Sequence, residues 1–336
     1  MGIRNLTQLI RNKSPDSIQT VSLYTLQNKT VAIDTSIFLY KSLANVRYNG
    51  DYLRNKDNQI VSHIVGLFHK TIQYLTLNIT PVYIFDGKPP IEKQAVLDER
   101  NKKAKASQAL IDQTQDQAEI NKLEKGTIRI KKEYIDDLKK LFSLMGVSYI
   151  HPNCEAEAYA SELCRIGHVD AVVSEDMDTL AFGSPLLIRS CIDKSIKRKD
   201  VISTFDLNKI LKDFEMDYHQ FVDVCILCGC DYCPTISKVG NARAFQYIQT
   251  YKSIEKLIES KKCNISQEFL DQYLQARDLF FANQNTVNES EYPMHSSSYD
   301  KERLYNYLVD ECAMSSKRVD NSLKKLNKFD TPPTKQ

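Results

Sequence analysis

Seven carboxylates in this 336-residue chain stand where they could act together. Asp34 follows the run Thr30-Val31-Ala32-Ile33, and Asp86 follows Pro81-Val82-Tyr83-Ile84-Phe85. Asp176 and Asp178 follow Asp170-Ala171-Val172-Val173-Ser174-Glu175. Glu155 and Glu157 flank Ala156 just after Pro152, and Asp231 closes the run Cys225-Ile226-Leu227-Cys228-Gly229-Cys230. Hard oxygen donors select Mg2+ or Mn2+ rather than Zn2+. Two such ions about 3.5–4 Å apart can clamp the attacking and leaving oxygens of a phosphoryl displacement. Most of the 43 acids are expected to be solvated surface. Acids that end apolar strands are the ones set apart.

Short apolar runs rich in β-branched and aromatic residues read as strands buried on both faces, as in a parallel sheet. Between them lie helical patterns: Ile135, Leu138, Leu141, Phe142 and Met145 recur at helical spacing, with Gly146 as a C-terminal stop. Alternating strands and helices predict an α/β fold with a central, mostly parallel sheet. Ligands of such sheets sit beyond the carboxyl ends of the strands, so Asp34, Asp86 and Asp176 should converge. Glu155 and Glu157, two apart, share a face only on extended backbone, which places them at a helix start, where negative charge is favoured.

The segment Ile91–Lys132 is polar and weakly periodic, and reads as an inserted helical segment. From Phe205 to Ser260 the pattern is helical, with a turn near Pro234 and Gly240. Asn327–Gln336, with two prolines and little to bury, reads as a disordered tail. Hydrophobic residues are 42% and charged residues 26%, an ordinary globular balance. Lys plus Arg number 45 against 43 acids, a net charge of +2, which excludes a basic coat protein. No apolar stretch approaches the roughly 18 residues of a membrane helix. The first residues carry no signal-peptide pattern, and Leu6 stands where myristoylation needs Ser or Thr. Nine irregularly spaced cysteines fit reduced thiols inside the cell.

The motifs together resemble the flap endonucleases of the xeroderma pigmentosum G (Rad2-like) family of structure-specific 5′ nucleases, over roughly residues 1–325. They are Met1-Gly2-Ile3, Val31-Ala32-Ile33-Asp34, Tyr83-Ile84-Phe85-Asp86-Gly87-Lys88-Pro89-Pro90, Glu155-Ala156-Glu157-Ala158, Ser174-Glu175-Asp176-Met177-Asp178-Thr179-Leu180-Ala181-Phe182-Gly183 and Gly229-Cys230-Asp231-Tyr232-Cys233. Lys88-Pro89-Pro90 and Lys252-Ser253-Ile254-Glu255 are more similar to the flap branch than to its exonuclease and junction-resolving relatives.

The resemblance implies a PIN-like 5′ nuclease fold: nuclease regions at residues 1–107 and 133–260, a helical arch at 91–132, a helix–two-turn–helix at about 225–248, a helical region at 261–326 and a tail at 327–336. It implies that Asp34, Asp86, Glu155, Glu157, Asp176, Asp178 and Asp231 hold two Mg2+ ions, replaceable by Mn2+. The implied reaction is phosphodiester hydrolysis leaving a 5′-phosphate. Lys93 and Arg100 would face the scissile phosphate, so that the catalytic set is Asp34, Asp86, Asp178, Lys93 and Arg100. Gly2, Tyr40, Arg47, Lys70, Arg129, Lys132, Arg189, Lys238, Gly240 and Arg243 are the implied DNA contacts. Thr235, Ile236 and Val239 would line a K+ site.

Two departures from the family pattern stand out. Lys238 occupies the place of the first glycine in the Gly-hydrophobic-Gly turn, and no sliding-clamp box follows Arg318. The implied partner is branched or flapped DNA, bound by a monomer without a clamp, at a nuclear, viral or cytoplasmic replication site. A 5′→3′ exonuclease, a recombination-junction nuclease and a non-catalytic DNA-binding scaffold remain alternatives. Cys225, Cys228, Cys230 and Cys233 could suggest a zinc or iron–sulfur site. On the helix this segment reads as, their spacing does not converge.

Overall fold

A computed structural model describes residues 2–114, 116–196, 198, 200–282 and 300–326. The predicted tail lies outside the described residues. Nine strands occur among them: β1 (Ile18–Ser22), β2 (Thr30–Asp34), β3 (Arg47–Tyr48), β4 (Asp51–Tyr52), β5 (Thr80–Ile84), β6 (Tyr149–Ile150), β7 (Ala171–Val173), β8 (Leu186–Ser190) and β9 (Val201–Asp206). Seven form one sheet in the order β1-β9-β8-β7-β2-β5-β6. Strands β8, β7, β2, β5 and β6 are mutually parallel. Strand β9 is antiparallel to β8 and to β1. The three strands singled out by their terminal acids are the adjacent centre, β7-β2-β5, and β2 is buried along Val31–Asp34.

Helices cover both faces. They are α1 (Leu6–Lys13), α2 (Thr35–Asn45), α3 (Ser62–Leu75), α4 (Gln94–Ile111), α5 (Gln117–Thr127), α6 (Lys132–Leu144), α7 (Ala156–Arg165), α8 (Asp178–Ala181), α9 (Leu207–Phe214), α10 (Tyr218–Cys228), α11 (Asn241–Tyr251), α12 (Ile254–Ser260), α13 (Gln267–Ala282), α14 (Lys301–Asn306) and α15 (Ser316–Leu326). Helix α6 carries the predicted stripe, and Gly146 follows it at φ 64°. Its Phe142 stacks on Tyr83 of β5, ring centres 4.0 Å apart. Among the described residues no helix is long and apolar enough to cross a membrane.

One apolar cluster joins α3, α6, α14 and α15 to one face of the sheet. Another joins α1 and α9–α13. The inserted segment forms α4 and α5, a helical hairpin with one buried residue, Ala104, in α4. Its apolar content is too low to build a core of its own.

Between α10 and α11 the chain departs from the sequence reading. The helix stops at Cys228, where Gly229 takes φ 107°, so Cys230 and Asp231 lie on a turn closed by an antiparallel backbone pairing of Cys230 with Cys233. All four thiols are buried and free. Lys238 adopts φ 64°, the left-handed conformation a glycine would take without steric cost, and Arg243 Nη1 donates to its carbonyl at 2.7 Å. A β-carbon-bearing residue there costs about 1–2 kcal/mol, partly offset by lower unfolded-state entropy. Lys238→Gly should therefore raise the unfolding free energy by about 0.5–1 kcal/mol. Urea titration measures it as a higher midpoint at unchanged slope.

Candidate active site

The seven carboxylates meet at the carboxyl edge of β7-β2-β5. Asp34, the last residue of β2, caps α2 by accepting from Ile37 N at 3.4 Å. Ser174 Oγ, just beyond β7, donates to Asp34 Oδ2 at 3.0 Å and accepts from Asp176 N at 3.0 Å. Asp176 Oδ1 accepts from Asp178 N at 3.1 Å. Asp86, two residues past β5, accepts from Ala156 N at 2.9 Å. That bond ties it to the first turn of α7, where Glu155 is extended (φ −67°, ψ 145°), as its spacing from Glu157 required. Asp231 reaches the cleft from the turn after α10.

Two cations from the base of α4 complete the cluster. Lys93 pairs with Glu155 and lies 3.9 Å from Asp231; Arg100 Nη2 donates to Asp231 Oδ2 at 2.6 Å. Lys93 is buried, which disfavours its charge, but Glu155, Glu157 and Asp231 outweigh that and raise its pKa. Burial and the charge of Asp86 push Asp34 up to about 8. Burial, then Asp34, Asp86 and Asp176, push Glu157 well above the carboxylate range. Burial, then Asp176 and Asp231, do the same for Asp178, against Lys93 and the Ile3 amide, which donates to it at 2.7 Å.

Seven acids against two cations leave a deficit of positive charge in a donor set made only of oxygen. Divalent hard cations fit that deficit. Among the described residues no three potential ligands close on one point as a finished cage. Repulsion explains this: Glu155 and Asp231 turn to Lys93 and Arg100 instead.

Gly2 lies against this cluster at φ 77°, and a β-carbon there would collide with Asp176 Oδ1 and Asp178 Oδ1. Tyr40 is exposed, with its Oη donating to the Lys125 carbonyl at 2.6 Å. Arg47 pairs with Glu124 at 2.6 Å, and Arg129 Nη2 donates to the Arg100 carbonyl at 3.2 Å. Lys132 opens α6. Arg189 points inward, donating to Thr7 Oγ1 at 3.0 Å, with Glu175 3.6 Å away. Lys70 lies over the Phe38 and Tyr74 rings, and burial with nearby Lys41 pushes its ammonium down to about 8. Gly240 caps α11 in an ordinary extended conformation, and a β-carbon there would meet open space. Ile236 and Val239 are buried and joined by a turn bond from Val239 N to the Ile236 carbonyl at 3.1 Å; Thr235 packs by Gly229.

Sequence reasoning assigned no role to Ser174 or Tyr232. Tyr232 Oη donates to Glu155 Oε2 at 2.5 Å, and Lys93 Nζ stands 5.7 Å from its ring centre. One buried side chain thus holds both an acid and its cation. Both residues sit inside quoted motifs, directly beside an acid, which was the available signal.

An acid-lined cleft at this sheet edge, overhung by a basic helical hairpin, defines a metal-dependent nuclease of the 5′ nuclease fold. The comparisons place it further. The XPG N-terminal domain matches residues 1–108 and the XPG I-region residues 146–231. Flap endonuclease 1 of Scheffersomyces stipitis is 39% identical over 336 residues, covering 98% of this chain and 88% of the relative. The structure of flap endonuclease-1 from Methanococcus jannaschii superposes with a TM-score of 0.70 at 27% identity, covering 93% of this chain and 96% of that one. The Holliday junction-resolving enzyme GEN1, solved with product DNA, Mg2+ and Mn2+, shares the fold (TM-score 0.63, 19% identity, 94% of this chain and 76% of that one). The chain belongs to the flap endonuclease family.

Tyr232→Phe removes one hydrogen bond to a charged acceptor, worth about 1.5–3 kcal/mol. It should lower kcat about tenfold or more with little change in KM for DNA, measured by single-turnover and steady-state cleavage. Gly2→Ala should cost about a hundredfold in cleavage rate by displacing Asp176 and Asp178, while circular dichroism keeps the wild-type spectrum.

Proposed function

We propose that this chain is a structure-specific 5′ endonuclease that hydrolyses DNA phosphodiester bonds near single-strand to double-strand junctions, with 5′ flaps as substrate. The observation carrying the reading is the convergence of all seven carboxylates with Lys93 and Arg100 beneath the α4–α5 hairpin. Two divalent ions, Mg2+ or Mn2+, held among Asp34, Asp86, Glu155, Glu157, Asp176, Asp178 and Asp231, would supply charge neutralisation and Lewis acidity at the scissile phosphate.

The chain's own residues do the rest. Lys93 and Arg100, now on Glu155 and Asp231, are within reach of a phosphate entering the cleft and stabilise its growing negative charge. Gly2 leaves room at Asp176 and Asp178. Tyr232 and Ser174 keep Glu155, Asp34 and Asp176 oriented. The hairpin of residues 91–132 serves as the arch over a single-stranded 5′ end, with Tyr40, Arg47, Arg129 and Lys132 around its base. Gly240, the N-cap of α11, has no side chain to cap it, and Ala242 N donates to Asn241 Oδ1 at 2.9 Å; the positive end of the helix faces a duplex phosphate, with Lys238 and Arg243 beside it. A K+ ion at Thr235, Ile236 and Val239 would reinforce that contact. Lys70 and Arg189 would act nearer the cleft. Nuclear, viral or cytoplasmic replication sites are the places such an activity serves, with the chain acting as a monomer.

The double variant Asp86→Asn, Asp178→Asn should lose cleavage by about a thousandfold or more while still binding DNA in fluorescence anisotropy. A panel of end-labelled flap, nicked, blunt and four-way substrates, with and without chelator, separates flap cutting from exonuclease or junction activity. Wild-type turnover on none of them, with tight DNA binding, would establish the non-catalytic scaffold instead.

A further inference from the structure

The arch is fastened to the body at both legs by the same kind of contact. Its outgoing leg is held by Arg100 on Asp231. Its returning leg is held by two successive residues of α5: Glu124 accepts from Arg47 Nη1 at 2.6 Å, and the Lys125 carbonyl accepts from Tyr40 Oη at 2.6 Å. The Arg47 guanidinium does not depend on Glu124 for its position. It also donates to the Gly50 carbonyl at 3.0 Å and the Leu43 carbonyl at 3.3 Å, and lies 4.2 Å from the Tyr52 ring centre. The Arg47 side chain is 11% exposed and Glu124 34%, so solvent screens this pair less than an open surface pair. Glu124 is met by Arg47 Nη1 alone, and a guanidinium N–H donates to a phosphate oxygen as it does to a carboxylate oxygen.

We infer that Glu124 is a specificity-determining residue: its carboxylate occupies the Arg47 Nη1 donor that a backbone phosphate of the substrate takes over, so the returning leg is released only by DNA that reaches this point. This rests on the reading of the hairpin as the path of a single strand. DNA lacking a phosphate at that point leaves Glu124 in place and the leg docked. Tyr40, freed from the Lys125 carbonyl in the same movement, becomes available to a base.

The test uses Glu124→Gln in the full chain, which removes the charge and keeps the shape. Without DNA, trypsin should cut after Lys125 and Arg129 about fivefold faster than in the wild type, with unchanged melting temperature. In Ca2+ without turnover, affinity for a 5′-flap oligonucleotide should tighten about fivefold, and affinity for unflapped duplex, which leaves Glu124 in place, should not change, so that flap preference rises. In an Arg47→Met background, Glu124→Gln should change neither. Unchanged trypsin cleavage, or equal gains in the Arg47→Met background, overturns the inference. Faster cleavage in the variant alongside a wild type indifferent to flaps would fault the functional reading and leave the contact at Glu124 standing.

Discussion

Repulsion among buried carboxylates is the constraint on which the rest of this architecture depends. A cleft that gathers seven acids opposes its own folding, because each ionised group is desolvated beside others of the same sign. The fold distributes that cost. Asp34 and Glu155 stand at the N-caps of α2 and α7, and Asp178 opens α8, so backbone amides point where charge is densest. Ser174, Ala156 N and Ile3 N each hold one acid. Lys93 and Arg100 take up from the arch part of what these dipoles leave uncompensated, and divalent cations fit the remainder.

The arch is therefore an electrostatic part of the site as well as its roof. Its two helices have almost no core of their own, and their attachment is polar: Lys93 on Glu155, Arg100 on Asp231, Glu124 on Arg47 and Lys125 on Tyr40. Contacts of this type exchange readily for phosphate, whereas buried apolar packing does not. On the proposed reading, in which this hairpin admits a polyanion, ion pairs fasten it better than leucines would, and the polar composition of residues 91–132 fits that reading.

The central sheet and its acids were legible because two signals coincided: a buried parallel strand must be apolar throughout, so a carboxylate at its end is conspicuous. The same logic found α6 and the start of α7. It missed β8, β9 and the edge strand β1, whose partial exposure breaks the apolar run: β1 has no fully buried residue. The turn at Gly229 was invisible because Cys225–Cys233 is apolar enough to continue a helix. Only the packing of Thr235 and Arg4 around Gly229, where a side chain would collide, shows why the chain must turn there. Tyr232 and Ser174 were unreadable for another reason. Their roles depend on partners 77 and 140 positions away, which no local pattern encodes.

The net charge of +2 follows from the same constraint. A uniformly basic protein would bind duplex DNA anywhere by counterion release. An equally acidic one would repel it. Here the acids are concentrated in one cleft and the bases are spread over the arch, the Lys238–Arg243 turn and the surface around Lys41 and Arg189, so the sum cancels while the field does not. Several of those bases are already committed within the protein: Arg47 to Glu124, Lys41 to Glu175 at 2.7 Å, Arg100 to Asp231. Each must be given up before it can hold a phosphate, so non-specific duplex meets fewer free cations around the cleft than the sequence counts. Discrimination between branched and plain DNA can thus be built from ion pairs that only a substrate placing several phosphates at once can exchange.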